Sequence, residues 1–343
     1  MLKEEHNYTN NEKQECYLVT GAGGHLGGAV VRALMEEKKS VRALLLLGEK
    51  NTLPAEVEVF YGDVCIKESM NDFFTIPKDM NSIVIHCAGI VTINSKFSQR
   101  VMDVNVGGTR NVLAQCVEHK VEKLVYVSSV HAIPELKSGR VITEITNFSK
   151  EAVTGLYAKS KAEATALVLA ETYKSSLDAS VVHPSGIIGP YDKGSNHITV
   201  MIKQFCAGKL TAGVQGGYDF VDVRDVADGI ISCAKRGRKG RCYILSGQYA
   251  TIREMFAILE EVSGRKAPSV CLPRIVAKIF APAAEHFAKL RHVKPVYTLY
   301  SIYTLGTNAK FSHRRATKEL GFEPRELKET LKDTVLWLKE NND

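Results

Sequence analysis

Through its first half the chain alternates short apolar runs with longer stretches in which apolar positions recur every three or four residues. The short runs fall at residues 16–20, 41–46, 57–61, 83–87, 124–128 and 180–183. Nearly unbroken runs of this length predict strands buried on both faces. The periodic stretches fall at 26–38, 66–75, 99–118 and 152–173 and predict amphipathic helices. Strand then helix, repeated, predicts an α/β fold of the doubly wound kind, a parallel sheet with helices on both faces. Beyond Pro184 the rhythm changes. Gly186, Gly189, Pro190 and Gly194 crowd together and predict loops and short elements. Further helical patterns lie at 223–235, 252–263, 273–290, 315–320 and 327–341, with a strand-like run at 242–245. The expected organisation is a flexible polar tail over 1–14, a core over 15–184, and a smaller lobe over 185–343 that sends segments back to the core.

Composition alters this picture little. The 343 residues are 45% apolar and 24% charged, a globular balance that excludes a disordered or fibrous chain. Lysine and arginine number 45 against 38 acids, a net charge of +7. The one dense basic cluster holds Lys235, Arg236, Arg238, Lys239 and Arg241. It reads as a solvated loop at a helix C-terminus, where cations are favoured, and no nucleic acid is expected as partner. The eight cysteines form no Cys-x-x-Cys pair and no cluster of zinc spacing. A reducing compartment is expected, with neither disulfides nor a metal. The first 15 residues are polar and lack the apolar stretch of a signal peptide, so the expected location is cytoplasmic.

The stretch 273–290 has two readings. Ile275, Val276, Ile279 and Phe280, with Lys278, Lys289 and Arg291, suit a helix lying in a membrane interface. Pro282 and Glu285 weigh against that. The expectation is that the stretch covers a pocket or packs on the lobe, without membrane-surface association.

Candidate chemistry begins where the first strand ends. Thr20-Gly21-Ala22-Gly23-Gly24-His25-Leu26-Gly27 joins a strand directly to a helix. Gly21 allows a tight turn, Gly24 lets the backbone approach a pyrophosphate, and Gly27 lets the helix pack on the strand. Peptide N–H groups at the helix start, around Gly23, His25 and Leu26, then face the phosphates. The motif makes the fold Rossmann-type and predicts a dinucleotide cofactor. At the end of the second strand an acid would hold a ribose 2′-hydroxyl, and an arginine a 2′-phosphate. That strand runs through Leu44-Leu45-Leu46-Leu47 into Gly48-Glu49-Lys50. Glu49 suits NAD and Lys50 suits NADP, and both also read as ordinary loop residues. NAD is preferred because no arginine stands at the strand end.

A second constellation is Tyr157-Ala158-Lys159-Ser160-Lys161, with Ser128-Ser129 ending the fifth strand and Asn105 in the helical stretch before it. Four apart on a helix, Tyr157 and Lys161 share a face. A phenol of pKa about 10 carries protons poorly at neutral pH. An ammonium alongside it, with a positive nicotinamide, favours the phenolate. A serine at the carboxyl end of a strand can bond the reacting oxygen in the crevice where such sheets take ligands. Alone, the tyrosine–lysine pair reads as a surface helix pairing; the glycine motif and the serine give it chemical meaning.

With these residues in this order the chain resembles the extended short-chain dehydrogenase/reductase family, nearly end to end. The resemblance extends to Gly62-Asp63-Val64, His86-Cys87-Ala88-Gly89, Asn105-Val106-Gly107-Gly108-Thr109, His183-Pro184-Ser185-Gly186 and Asp222-Val223-Arg224-Asp225-Val226-Ala227. It implies Tyr157 as general acid/base and Lys161 as its pKa-lowering, ribose-binding partner. Ser129, with Ser128 as the alternative, would orient the substrate oxygen. Asn105 would hold the helix and a relay water. Asp63 and Val64 would meet the adenine, Cys87, Ala88 and Gly89 the cofactor's middle, and Pro184, Ser185 and Ile187 the nicotinamide side. Asp63 also reads as a turn former, and Pro184 as a strand terminator.

Nucleotide-sugar members of that family carry an Arg-x-Gly-Asp-like motif near the end, which this sequence lacks. Its tail, with Lys310-Phe311-Ser312, Gly321-Phe322-Glu323-Pro324 and Trp337, is similar to the dihydroflavonol 4-reductase and 3β-hydroxysteroid dehydrogenase branch. This implies hydride transfer between nicotinamide and a secondary alcohol or ketone of a small hydrophobic, cyclic substrate. The alternative is a nucleotide-sugar epimerase, with Lys203, Lys209 or Arg253 on the diphosphate; the second is a non-catalytic dinucleotide sensor. Phe205, Tyr218, Phe220, Phe280, Tyr297, Tyr300 and Tyr303 either line an apolar pocket or form ordinary core. The resemblance also implies a homodimer through helices 99–118 and 152–173. Ala162, Ala166, Leu169 and Ala170 would serve either that contact or packing within the chain.

Overall fold

The computed structural model describes residues 14–93, 97–192, 196–290 and 297–341. The expected tail, apart from Gln14, lies outside the described residues, as do Gly194 and Arg291. The strands are β1 (Gln14–Thr20), β2 (Ser40–Leu45), β3 (Glu58–Tyr61), β4 (Met80–His86), β5 (Lys123–Val127) and β6 (Asp178–Pro184), then β7 (Gly186–Ile188), β8 (Gly213–Val214), β9 (Gly217–Asp222), β10 (Cys242–Leu245), β11 (Gln248–Thr251) and β12 (Cys271–Leu272). The helices of the first half are α1 (His25–Glu36), α2 (Asn71–Phe74), α3 (Gln99–Met102), α4 (Thr109–Glu118) and α5 (Leu156–Lys174). Those of the second are α6 (His197–Cys206), α7 (Val223–Arg236), α8 (Ile252–Ser263), α9 (Arg274–Leu290), α10 (Leu299–Thr304), α11 (Arg314–Leu320) and α12 (Leu327–Glu340).

Seven parallel strands form the central sheet in the order β10-β6-β5-β4-β1-β2-β3. Alternate residues of β1 serve opposite faces, as the pleat requires. Tyr17 and Val19 pack with Val30 and Leu34 of α1 and Val226 and Ile230 of α7. Leu18 faces the other way, into a cluster with Val112 and Leu113 of α4 and Val168 of α5. The strand order turns back between β1 and β4, which opens a crevice at their carboxyl ends.

The lobe has its own core, in which Phe205, Met255, Phe256, Leu331 and Val335 join α6, α8 and α12. It rests on a three-stranded sheet, β11-β9-β7. Two late segments return to the main sheet, β10 beside β6 and α7 against α1. The Asp222–Ala227 motif proves to be a structural joint. Asp222 caps α7 by accepting the Arg224 N–H at 2.8 Å, and Asp225 accepts from Arg325 Nε at 2.8 Å, which ties α7 to the segment before α12.

The observed elements differ from the predicted ones at several places. The helix predicted over 66–75 is a 3-10 turn, Lys67–Met70, running into the four-residue α2, and the short strands β7, β8, β9, β11 and β12 were not predicted. The helix predicted over 99–118 is continuous but not uniform: α3 passes through a π-helical turn, Asp103–Gly108, into α4. The helix predicted from 152 starts at Leu156, because Gly155 sits at φ +100, outside helical geometry. Helices α6 and α10 had no counterpart in the sequence reading, being short and embedded in loop-like sequence. No helix among the described residues is long and apolar enough to cross a membrane.

Candidate active site

The crevice deepens into one continuous cavity of ≈ 670 Å³, running from the ends of β1 and β2 to α10. Its nucleotide end is shaped by missing side chains. Gly21 takes φ +66, and a Cβ there would lie 2.7 Å from the Ala88 backbone. A Cβ on Gly27 would collide with the Gly21 carbonyl, and one on Gly23 with the Glu49 carboxylate. No side chain caps α1, and Gly24, His25, Leu26 and Gly27 line the cavity, so the free N–H groups of the first turn face it. This is a cradle that fits a pyrophosphate. Gly23 is exposed beside the Glu49 carboxylate and does not line the cavity.

Glu49 is held over the loop by the Leu46 N–H at 3.0 Å, whereas Lys50 is exposed and does not line the cavity. Further along, Asp63 and Val64 form the wall with Arg100. Burial alone would raise the Asp63 pKa, but the Cys65 N–H at 2.9 Å and the Arg100 guanidinium at 3.4 Å hold it below the usual carboxylate range. Sequence reasoning missed Arg100, whose only signal was a cation one turn before a buried helix.

Cys87, Ala88 and Gly89 follow β4 along the cavity floor, with the Ala88 N–H donating to Thr20 Oγ1 at 3.3 Å. Pro184, Ser185 and Ile187 line the same cavity from the far side. Asn105 lies in the π-helical turn and is wholly buried. Its Oδ1 accepts the Ile90 N–H at 2.7 Å, and its Nδ2 donates to the Ile90 carbonyl at 3.0 Å and to Ser160 Oγ at 2.9 Å. The amide is thus engaged at both ends by the protein, and it ties the helix to the loop after β4 and to α5.

Tyr157 and Lys161 both line the cavity from the first turns of α5. Burial pushes the Tyr157 phenol up to about 12, with a hydrogen bond to Ser129 opposing. Burial also pulls the Lys161 ammonium down to about 8. Lys161 Nζ donates to the Val127 carbonyl at 2.7 Å and to Tyr126 Oη at 3.4 Å. The spacing argument expected Lys161 to lower the phenol. In the structure the ammonium is tethered to β5, and burial dominates Tyr157. The two serines separate cleanly. Ser128 Oγ is paired with Thr165 Oγ1 at 2.7 Å, while Ser129 Oγ faces Tyr157 and accepts the His131 N–H at 3.3 Å.

The substrate end is walled by Met201, Tyr218, Phe220, Ile252, Tyr297, Tyr300 and Leu305. Of the aromatics singled out earlier, Tyr218, Phe220, Tyr297 and Tyr300 line it. Phe205 is lobe core, Phe280 is exposed on α9, and Tyr303 donates to Glu135 at 3.0 Å outside the cavity. Tyr300 lies against Gly155, where a Cβ would collide with its ring. His131 is a further lining residue that sequence reasoning missed. Its Nε2 pairs with Tyr218 Oη at 2.9 Å, its ring meets Tyr157 edge-on at 6.0 Å, and burial holds it neutral, at about 4. On α5, Ala162 and Leu169 are buried within the chain, Ala166 is half-buried and Ala170 exposed.

Residues 17–245 match the model of the NAD dependent epimerase/dehydratase family. Sterol demethylase protein B of Methylococcus capsulatus is 30% identical over 331 residues, 94% of this chain and 98% of that protein. A Synechocystis protein with the provisional name dihydroflavonol 4-reductase is 28% identical over 339 residues, 95% of each chain. The crystal structure of gox2253 superposes with a TM-score of 0.81 at 30% identity, over 96% of this chain and 98% of that one. The UDP-glucose 4-epimerase of Thermotoga maritima shares the fold, with a TM-score of 0.74 at 18% identity, over 96% of this chain and all of that one.

Proposed function

The chain belongs to the NAD-dependent epimerase/dehydratase family, and within it we propose an oxidoreductase moving a hydride between NAD and a secondary alcohol or ketone on a hydrophobic cyclic substrate such as a 3-hydroxysteroid. The carrying observation is the character of the substrate end, aromatic and aliphatic walls meeting Tyr157 and Ser129. Among the described lining residues the only lysine or arginine besides Lys161 is Arg100, beside Asp63. Lys203, Lys209 and Arg253, the cations that a sugar diphosphate would need, do not line the cavity. A flat ring system suits such walls, and the names of the sterol demethylase and dihydroflavonol reductase relatives support the same class.

The glycine cradle fits the pyrophosphate of a dinucleotide, which supplies the hydride acceptor and, when oxidised, a positive charge. Ser129 orients the substrate oxygen, and Tyr157 carries its proton. Lys161, charged at neutral pH, is fixed on the Val127 carbonyl, so its position is set before any ligand arrives. Because burial keeps the phenol high, its activation depends on charge gathered in the ternary complex as well as on Lys161. The choice of NAD rests on Glu49. A carboxylate over the glycine loop accepts ribose hydroxyls and repels a 2′-phosphate.

The test is nicotinamide absorbance with NAD or NADP against 3-hydroxysteroids and other cyclic secondary alcohols, wild type beside Tyr157→Phe. Turnover with NAD that the substitution abolishes is the expected result. No turnover on that panel, with epimerisation of a UDP-sugar, overturns the proposal in favour of the epimerase.

A further inference from the structure

Over residues 274–283, helix α9 turns Ala277 and Ala281 inward and its largest apolar residues outward. Ala277 and Ala281 are buried against Val214 of β8 and Ile302 of α10. Ile275 and Ile279, one turn apart, are 76% and 71% exposed, and Phe280 beside them is 63% exposed. Val270, just ahead of the helix, is half-exposed, and Pro282 and Ala283 extend the apolar face outward. An ordinary surface helix turns such residues to the core and polar ones to water. An apolar face of this kind marks a contact surface.

Charge narrows the identity of the contact. Residues 264–283 carry Arg265, Lys266, Arg274 and Lys278 and no carboxylate, in a chain whose cations and acids number 45 and 38 in all. All four cations belong to the segment that leads into or forms the apolar face, and Lys278 stands on the same stripe as Ile275 and Ile279. A second copy of this face, related by a two-fold axis, would bring Lys278 and Arg274 of the two chains toward each other, like charge against like. A surface that is apolar in depth and anionic at its rim fits better.

We propose that α9 docks on the surface of membranes containing anionic phospholipid, with Ile275, Ile279 and Phe280 below the headgroups and Lys278 and its neighbouring cations among them. Pro282, which counted against a membrane role in the sequence, leaves the helix intact through to Leu290. The inner face of α9 packs with Tyr297 and Leu305, both of which also wall the substrate end of the cavity. Docking there sets the cavity beside the phase in which an apolar substrate dissolves. The inference does not depend on the identity of that substrate, because its readout is binding to lipid.

The test is co-sedimentation of the purified full chain with vesicles of phosphatidylcholine alone, or of equal parts phosphatidylcholine and phosphatidylglycerol, at low and high salt. Binding is expected to the anionic vesicles, to weaken with salt, and to fall at least about tenfold in Ile279→Glu and in Phe280→Glu. Both positions are exposed, so unchanged NAD affinity in the variants verifies their fold. Wild type remaining in the supernatant with both vesicles overturns the proposal, as does equal pelleting of the variants. A dimer by light scattering that Ile279→Glu converts to monomer also overturns it, assigning the face to a second copy.

Discussion

At the nucleotide end of the cavity the surface is mostly backbone; at the substrate end it is mostly side chain. Gly21, Gly24 and Gly27 come from a single loop, and what they contribute is the absence of a Cβ beside Ala88 and the first turn of α1. The opposite end needs Ser129 after β5, Tyr157 on α5, Tyr218 on β9 and Tyr300 on α10, gathered from across the chain. A backbone cradle is specific for a group common to all dinucleotides and can be written in eight consecutive residues. A side-chain wall can be rebuilt position by position while the cradle stays fixed, which lets one cofactor site serve many substrates.

The sharpest division between the two ends is expected from Tyr157→Phe. Its kcat should fall about a thousandfold while NAD affinity, measured by fluorescence titration, stays within about threefold. An equal loss of NAD affinity would mean that the ends are not separable. The reverse pattern is expected of Gly21→Ala, where positive φ and the Ala88 backbone at 2.7 Å both oppose a methyl group. NAD binding by calorimetry should weaken about a hundredfold. Glu49→Arg acts on the cradle's rim, and the kcat/KM ratio of NAD to NADP should drop about twentyfold without change in the KM of the second substrate.

Proton linkage tests both ends at once. Burial lowers His131 and His183 from 6.5 to about 4, and His86 to about 3. The unfolded chain therefore takes up these protons first. Stability is full above pH 6.5 and is lost as pH falls toward 4, by about 1.4 kcal/mol per pH unit for each histidine. Urea titrations at about pH 7, 6 and 5 read this slope, which His131→Gln should reduce by one histidine's share. The smallest effect is expected of Tyr218→Phe, which removes the hydroxyl paired with His131 at 2.9 Å. Substrate KM should rise about fivefold with NAD affinity unchanged.

The same contrast governs what could be read from the sequence. Five of the first six strands were legible because they are largely buried on both faces and so read as apolar runs, while β3, at the sheet edge with no buried residue, was found through its apolar composition alone; the glycine loop was legible because its chemistry is contiguous. Tyr157 and Lys161 were found through helical spacing, yet spacing reports only a shared face. It does not report that Lys161 reaches the Val127 carbonyl, or that burial sets the phenol. His131 and Arg100 escaped because each gains its meaning from a partner far along the chain, Tyr218 and Asp63 respectively. Helices α6 and α10 escaped for a related reason. A helix of six or ten residues has too few turns to display a period, and its stability comes from the surface it packs on.

The π-helical turn at Asp103–Gly108 has a consequence for the phase of the helix that contains it. One extra residue in a turn delays everything beyond it by about 100°. Arg100, ahead of the delay, lines the cavity; Val104, within the turn, touches the cavity and also packs into the core beneath the sheet, where Val112, Leu113 and Cys116 follow beyond the turn. In a uniform α-helix the phase of cavity wall and core would be fixed to each other; here the turn that offsets them is the one where Asn105 is clamped to Ile90. Deleting a single residue from that turn would restore regular winding and rotate one stripe against the other, forcing the chain to choose between its cavity wall and its core.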